Sequence, residues 1–279
     1  MRKKISAILL LLAGFLLLAL VFAQSYGLSV LATTISTVGL ILITSSFISY
    51  RSGLNLGYTL MVTAIPLSCC EVLTGLVLSL QMMSGKDGLY HLSDVLMILT
   101  AGAVLSSIGY FCSPKNLNNL KIKLLNWYDI LTVLLALSIW FFLEMSSAEY
   151  GIGPFIDPSS ILITAAFVAF STGGALLIDR KVSTSLTDGS VATVLFGIVF
   201  CAAYYFTALQ DMRAIGPLLA VGLLTSLYGI ILYYFSFLYS LKEGTIQQQN
   251  FTTKNWHVIE GLGFLIFLVF GPPTIWETF

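Results

Sequence analysis

Glu71 is the residue of this sequence best placed to do chemistry. It falls near the centre of Gly57–Met82, an apolar stretch that holds no other charged side chain. In the middle of a bilayer an ionised carboxylate costs roughly 3 kcal/mol or more, so an acid at such a depth serves as proton relay, cation site or ligand counter-ion unless it simply stays neutral. No Lys or Arg lies at comparable depth in any apolar stretch. Its partner is therefore a hydroxyl, an amide, a water, a bound cation or its own proton, and keeping the proton is the simplest solution. One helical turn earlier stands Ser68, and one turn later Thr74 precedes Gly75. Pro66 offers no N–H to the preceding turn and so frees a carbonyl there. Together these residues describe a polar cleft. The plainer alternative is a neutral Glu hydrogen-bonded to a neighbouring helix.

Two further sets of residues belong to the candidate site. Asp94 enters the next apolar stretch behind Tyr90, His91 and Ser93. Antiparallel packing of the two stretches puts it roughly 10–20 Å outward of Glu71, as a vestibule or as a snorkelling interfacial acid. Tyr204 and Tyr205, with Tyr228, Tyr233 and Tyr234, exceed what an interfacial belt needs. They pack the bundle, line an aromatic pocket or partner Glu71.

Other chemistries lack their residues. Cys69, Cys70, Cys112 and Cys201 lie within or at the ends of apolar stretches with no CxxC or Cys/His spacing, and read as small packing residues. His91 and His257 fall at opposite faces of the membrane, which leaves no metal site, and no cofactor motif occurs. Neither a nucleophile beside a base, nor paired carboxylates, nor an arginine pair for phosphate is visible, so a non-enzymatic protein is expected.

The elements that must position Glu71 follow from composition. Of 279 residues 57% are hydrophobic and 9% charged, and the mean hydropathy is +0.94. A soluble globule carries about 25% charge, so that class is excluded. With 19 Phe, 13 Tyr and 4 Trp the chain has too much apolar surface for disorder, and a formal charge of zero gives nucleic acid nothing to bind. About 20 apolar residues span a bilayer as a helix. Nine stretches qualify: Ile5–Gln24, Leu28–Tyr50, Gly57–Met82, Leu89–Cys112, Trp127–Ser147, Ser159–Ile178, Gly189–Gln210, Ile215–Leu241 and Trp256–Ile275. They are apolar on every side rather than alternating, which predicts an all-α polytopic transmembrane helix bundle and not a barrel.

With the N-terminus inside, eleven of the thirteen basic residues fall on inner segments: Arg2, Lys3, Lys4, Arg51, Lys115, Lys121, Lys123, Arg180, Lys181, Lys242 and Lys254. Lys86 and Arg213 fall outside. This bias predicts a multi-pass protein of the plasma (inner) membrane, N-terminus cytoplasmic and C-terminus outside, with lipid as its first partner. Residues 1–23 also fit a secretory signal peptide, although their apolar run exceeds the usual core of about 7–15 residues. Glu144, Glu149 and Asp157 gather in and beside one outer loop, while Asp129 and Glu260 sit at inner helix starts, where acids complement the dipole.

Residues 1–279 form one membrane domain, since no linker is long or polar enough to divide them. A parallel 4+4+1 repeat is expected, with halves 1–112 and 121–241 and an extra span 256–275. Cys70-Glu-Val-Leu-Thr answers Cys201-Ala-Ala-Tyr-Tyr, and Leu105-Ser-Ser-Ile-Gly-Tyr110 answers Leu224-Thr-Ser-Leu-Tyr-Gly229 in kind. Gly173-Gly174 and Ala103-x-x-x-Ser107 permit close helix contacts.

The segment from Leu89-Tyr-His-Leu-Ser-Asp-Val-Leu through Gly109, Pro114-Lys115 and Leu124-Leu-Asn-Trp-Tyr-Asp-Ile-Leu to Trp140 resembles the multispanning N-terminal membrane modules of bacterial GGDEF/EAL signalling proteins and sensor kinases. The likeness covers about Gly57–Phe142, with a degraded copy at Gly189–Phe235. It implies a sensory or partner-binding module with an intramembrane polar pocket. No GGDEF, EAL or kinase sequence follows the last span, so what such a module regulates is expected to be a separate cytoplasmic partner, docking on Ser113–Asn126. The alternative is a proton- or cation-coupled secondary transporter, in which the repeat halves would enclose a site near the midplane.

Overall fold

A computed structural model describes residues 29–82, 92–113, 123–146, 153–207 and 212–245. These form seven α-helices: α1 (Ser29–Ser52), α2 (Leu56–Met82), α3 (Leu92–Cys112), α4 (Trp127–Ser146), α5 (Pro158–Leu177), α6 (Val182–Thr207) and α7 (Met212–Glu243), with a short 3-10 turn at Gly153–Phe155. There is no strand among the described residues. Among the described residues six helices are long and apolar enough to cross a membrane, and the apolar part of α4 covers Trp127–Phe142. The chain is an all-helical, membrane-embedded protein. The expected first and ninth spans lie outside the described residues.

Six of the seven helices begin and end within three residues of the expected spans. The exception is α6, which starts at Val182 instead of Gly189. Its first two turns, Val182-Ser-Thr-Ser-Leu-Thr-Asp188, are polar enough to read as loop. They are helical because the hydroxyls bond back onto the helix: Thr187 donates to the Ser183 carbonyl at 2.9 Å and Ser190 to Leu186 at 2.6 Å. The Arg180–Asp188 ion pair, at 3.1 Å, closes the same end.

The described helices gather into two compact units. Unit one holds α1, α2 up to Val72, α3, α4 up to Phe141 and α7 from Leu238. A three-residue link joins α1 to α2, with Gly53 at φ 69°, the left-handed conformation that suits glycine. Ser45 and Thr63 share a hydroxyl hydrogen bond of 2.5 Å across the hairpin, and the Thr59 hydroxyl donates to the Ser45 carbonyl at 3.1 Å. On its other side α2 meets α3 backbone to backbone. A Cβ on Gly109 would stand 2.6 Å from the Gly57 carbonyl oxygen and from the Met61 nitrogen. One turn away the Ser106 hydroxyl donates to the Met61 carbonyl at 3.1 Å.

Unit two holds α2 from Leu73, α5, α6 and α7 up to Phe237. Asp157, expected in an acidic outer loop, is the N-cap of α5: its carboxylate accepts from the Ser160 N–H at 2.7 Å, with Pro158 opening the helix. The Ser171 hydroxyl of α5 donates to the Ser185 carbonyl of α6. Between α6 and α7 the approach is again close. A Cβ on Gly222 would stand 2.7 Å from the Gly197 carbonyl oxygen, and the Ser226 hydroxyl donates to the Val194 carbonyl at 3.3 Å.

Among the described residues no close helix contact uses Gly173-Gly174 or Ala103-x-x-x-Ser107, which the sequence would permit. A Cβ on either Gly173 or Gly174 meets nothing within 4 Å among the described residues, and Ala103 and Ser107 are exposed. The α3 seam runs one residue earlier, through Gly102, Ser106 and Gly109. A rise of 3.6 residues per turn makes neighbouring positions face about 100° apart, so a one-residue shift trades the protein side for the lipid side. Gly109→Val is expected to destabilise the protein by about 1–3 kcal/mol through overpacking. Gly173→Val should change stability by less than about 0.5 kcal/mol; denaturant unfolding in detergent micelles measures both.

Candidate functional site

Glu71 sits on α2, which is buried at every residue from Gly57 to Val77. Its side chain is 3% exposed. Three residues before it, on the α3 side, Ser68 is 1% exposed. Gly102 of α3 makes the room for Ser68: a Cβ there would stand 2.7 Å from the Ser68 Cβ. The Ser68 hydroxyl has no hydrogen-bond partner among the described residues. Thr74 is buried one turn further along α2 and belongs to unit two.

Register gives the level of Glu71 on its neighbours. Ser45 pairs with Thr63, so eight residues further along α2 corresponds to eight residues back along α1, at Thr37. Thr37 is buried and donates to the Thr33 carbonyl at 2.9 Å. Beside it the Ser36 hydroxyl accepts from the Trp140 indole N–H of α4 at 2.9 Å. On α3 the pairing of Gly57 with Gly109 and of Ser68 with Gly102 puts Glu71 opposite residues 95–99, where Val95 and Ile98 are fully buried. Asp94 lies in the first turn of α3. Its backbone is therefore within about 8 Å of the Glu71 level along the axis, nearer than the span boundaries alone suggested; its side chain lies outside the described residues. Tyr204 and Tyr205 occupy the last turn of α6, and their side chains also lie outside the described residues. Of the expected site, Ser68 and Glu71 thus lie buried one turn apart on α2 in unit one, with Ser36, Thr37 and Trp140 of that unit near the same level along the axis.

A second polar cluster closes the far end of unit one. The Arg51 guanidinium donates to the Asp129 carboxylate, Nε to Oδ1 at 2.6 Å, with Nη2 at 2.5 Å from the same oxygen. The other carboxylate oxygen accepts from the Asn126 N–H at 3.1 Å, the reach-back of a capping box at the start of α4. Asp129 therefore does more than complement the helix dipole. Lys123 donates its backbone N–H to the Ser52 carbonyl at 2.9 Å, and the Lys242 ammonium lies 3.7 Å from the Trp127 ring centroid, a cation–π contact. Arg51, Lys123 and Lys242 so share one end of the unit. Both members of the Arg51–Asp129 pair stand at inner span ends in the sequence, which is the signal that could have joined them.

Among the described residues no three His, Cys, Asp or Glu side chains come together to hold a metal ion. Comparison with protein-family models, with curated proteins and with solved structures finds no match for this chain.

Asp129 is nearly buried, at 8% side-chain exposure, whereas Asp188 of the other ion pair is 37% exposed. Asp129→Asn is expected to cost about 1–3 kcal/mol, because it removes a charged acceptor inside the protein. Asp188→Asn should cost about 0–1 kcal/mol. Thermal unfolding of the two variants checks the contrast.

Proposed function

We propose that this chain is a polytopic plasma-membrane protein, not an enzyme, that takes up and releases a proton or small cation at Glu71 and passes the change to a separate partner, as a sensory or partner-binding module does. The observation that carries this reading is a carboxylic acid 3% exposed on a helix buried throughout its span. Gain or loss of one charge there is worth roughly 3 kcal/mol, about a 100-fold shift between two helix packings. The partner docks on Ser113–Asn126, whose described end at Lys123 is tied to the α1–α2 turn. The resemblance to the membrane modules of signalling proteins favours the same reading.

In this proposal nine spans run from a cytoplasmic N-terminus to an outer C-terminus. The gathering of Arg51, Lys123 and Lys242 at one end of unit one, beside Trp127, supports that orientation, because cytoplasmic faces collect Lys and Arg and interfaces collect Trp. An alkaline phosphatase reporter fused after Phe279 is expected to be active; an inactive fusion, with a fluorescent reporter active in its place, would overturn the nine-span topology.

The second reading is a proton- or cation-coupled secondary transporter, and one observation favours it. The α3 seam, Gly102, Ser106 and Gly109, has the spacing of the α7 seam, Gly222, Ser226 and Gly229, each 120 positions on. The surfaces they meet correspond too: Gly57, Met61, Ala64 and Ser68 on α2, and Ser190, Val194, Gly197 and Cys201 on α6, each 133 positions on. Both seam serines donate to the same kind of acceptor, Met61 and its counterpart Val194. This agreement supports the 4+4+1 parallel repeat, an arrangement that transporters use. The offset also takes Glu71 to Tyr204.

Infrared spectra of the purified protein across pH, with Glu71→Gln as control, test the primary reading. A protonated-carboxyl band that changes with pH or added cation and is missing from the variant is expected; a band indifferent to both would leave Glu71 as a structural hydrogen bond. Proteoliposomes loaded with a pH-sensitive dye separate the two readings. Proton flux driven by a sodium or potassium gradient and abolished by Glu71→Gln would establish the transporter, and a responsive band without flux the sensor.

A further inference from the structure

Basic side chains reach the start of α4 from α1, from α7 and from the link that precedes it. Arg51, at the end of α1, gives Nε and Nη2 to one oxygen of Asp129, and its side chain is 40% exposed. A guanidinium carries five N–H donors, so the others are open to the surroundings. Lys242, in the last turn of α7, lies 3.7 Å from the Trp127 ring centroid and 5.3 Å from that of Tyr239. Ring faces hold an ammonium in place without neutralising it. Lys123 is exposed, and its backbone hydrogen bond to the Ser52 carbonyl, at 2.9 Å, keeps it beside Arg51. The acids of this end are already engaged, Asp129 by Arg51 and the Asn126 N–H and Glu243 by the Tyr239 hydroxyl.

From this cluster an exposed apolar stripe runs along α4. Tyr128, Leu131, Leu135 and Ile139 are all exposed, at spacings of three and four residues that put them on one side of the helix. Asp129, Ile130 and Val133 are buried on the other side. At about 100° per residue Trp127 and Asp129 point to the two flanks of Tyr128. Lys242, over Trp127, therefore stands at one edge of the stripe and Arg51, on Asp129, at the other. The stripe begins between two cations and continues for about 16 Å along the helix axis. A free anion would leave the stripe unused, and a soluble protein could not follow it into hydrocarbon. A molecule with an anionic head and an apolar tail matches both parts.

We propose that the start of α4 binds an anionic phospholipid, with its phosphate at the cluster of Arg51, Lys123 and Lys242 and an acyl chain along Tyr128, Leu131, Leu135 and Ile139. The binding is non-covalent, and every residue it uses belongs to unit one. An anionic leaflet attracts each nearby Lys or Arg by about five-fold in affinity. Here the cations come from three segments of the chain, so the site exists only when α1, the link before α4 and the end of α7 are packed together. The inference is separate from the reading of Glu71 and takes only the choice of leaflet, the cytoplasmic one, from the proposed topology.

The test is native mass spectrometry of the full chain in detergent, titrated with phosphatidylglycerol and, in parallel, with phosphatidylcholine of the same acyl chains. Phosphatidylglycerol is expected to stay bound several-fold more tightly than phosphatidylcholine. Lys242→Gln and Lys123→Gln are each expected to weaken it about five-fold, while Lys181→Gln, in the exposed α5–α6 turn of unit two, leaves it unchanged. Weakening by only one of the first two supports the site and places the phosphate beside that lysine. If Lys242→Gln unfolds through loss of its contact with Trp127, Lys123→Gln still decides the matter. Equal affinity for the two lipids, or phosphatidylglycerol binding that neither variant weakens, would overturn the proposal. Equal weakening by Lys181→Gln would reduce it to general surface attraction and overturn it too. Displacement of the lipid by inorganic phosphate at equal concentration would assign the cluster to a free anion and likewise overturn it. None of these outcomes bears on the carboxyl band of Glu71.

Discussion

Where α3 crosses α2, the Gly57 carbonyl and the Met61 backbone lie so near Gly109 that no side chain fits between them, and the rest of unit one takes its position from that crossing. Lipid tails are as apolar as leucine, so membrane helices gain little by hiding apolar side chains from one another and associate through packing and hydrogen bonds instead. Glycine lets the two backbones approach, and the Ser106 hydroxyl then reaches the Met61 carbonyl. Two turns further along, the same approach sets Ser68 against Gly102 and carries Glu71 into the interior. Position and polarity are thus coupled: the contact that brings the helices together also determines how deeply the acid is held.

Hydroxyls settle the remaining polar account of the interior. Most of them fold back on their own helix, which adds polarity without specifying a neighbour. Those that cross between helices, among them Ser45 with Thr63, Ser106 with Met61, Ser226 with Val194 and Trp140 with Ser36, do specify one.

The sequence reveals the helices well and their faces poorly. Long apolar runs need no partner to be recognised, because the bilayer alone demands them. The start of α6 was hidden because Ser and Thr resemble loop until their back-bonding is seen. The seam of α3 was misplaced by one residue because small side chains occur on both sides of a membrane helix, and composition does not say which side meets protein. Glu71 was legible for an energetic reason, the cost of its charge. The Trp140–Ser36 hydrogen bond near the same level was not, since the two residues stand 104 positions apart and each is unremarkable alone. The Arg51–Asp129 pair, 78 positions apart, needed only the thought that both ends share one face.

Only 17% of the membrane stretch of α5 is buried in protein, with Ile161, Leu162, Phe170 and Leu176 exposed along it. Among the described residues most of its surface is therefore uncovered by protein. Its 20 residues give a length of about 30 Å, close to the hydrocarbon thickness of an average membrane, and its ends are fixed by the Asp157 cap on one side and by Arg180, paired with Asp188, on the other. In a thinner bilayer a helix of this length tilts, at a cost of a fraction of a kcal/mol per ångström of mismatch, and the short turn through Asp179, at φ 51°, ties α6 to whatever angle α5 takes.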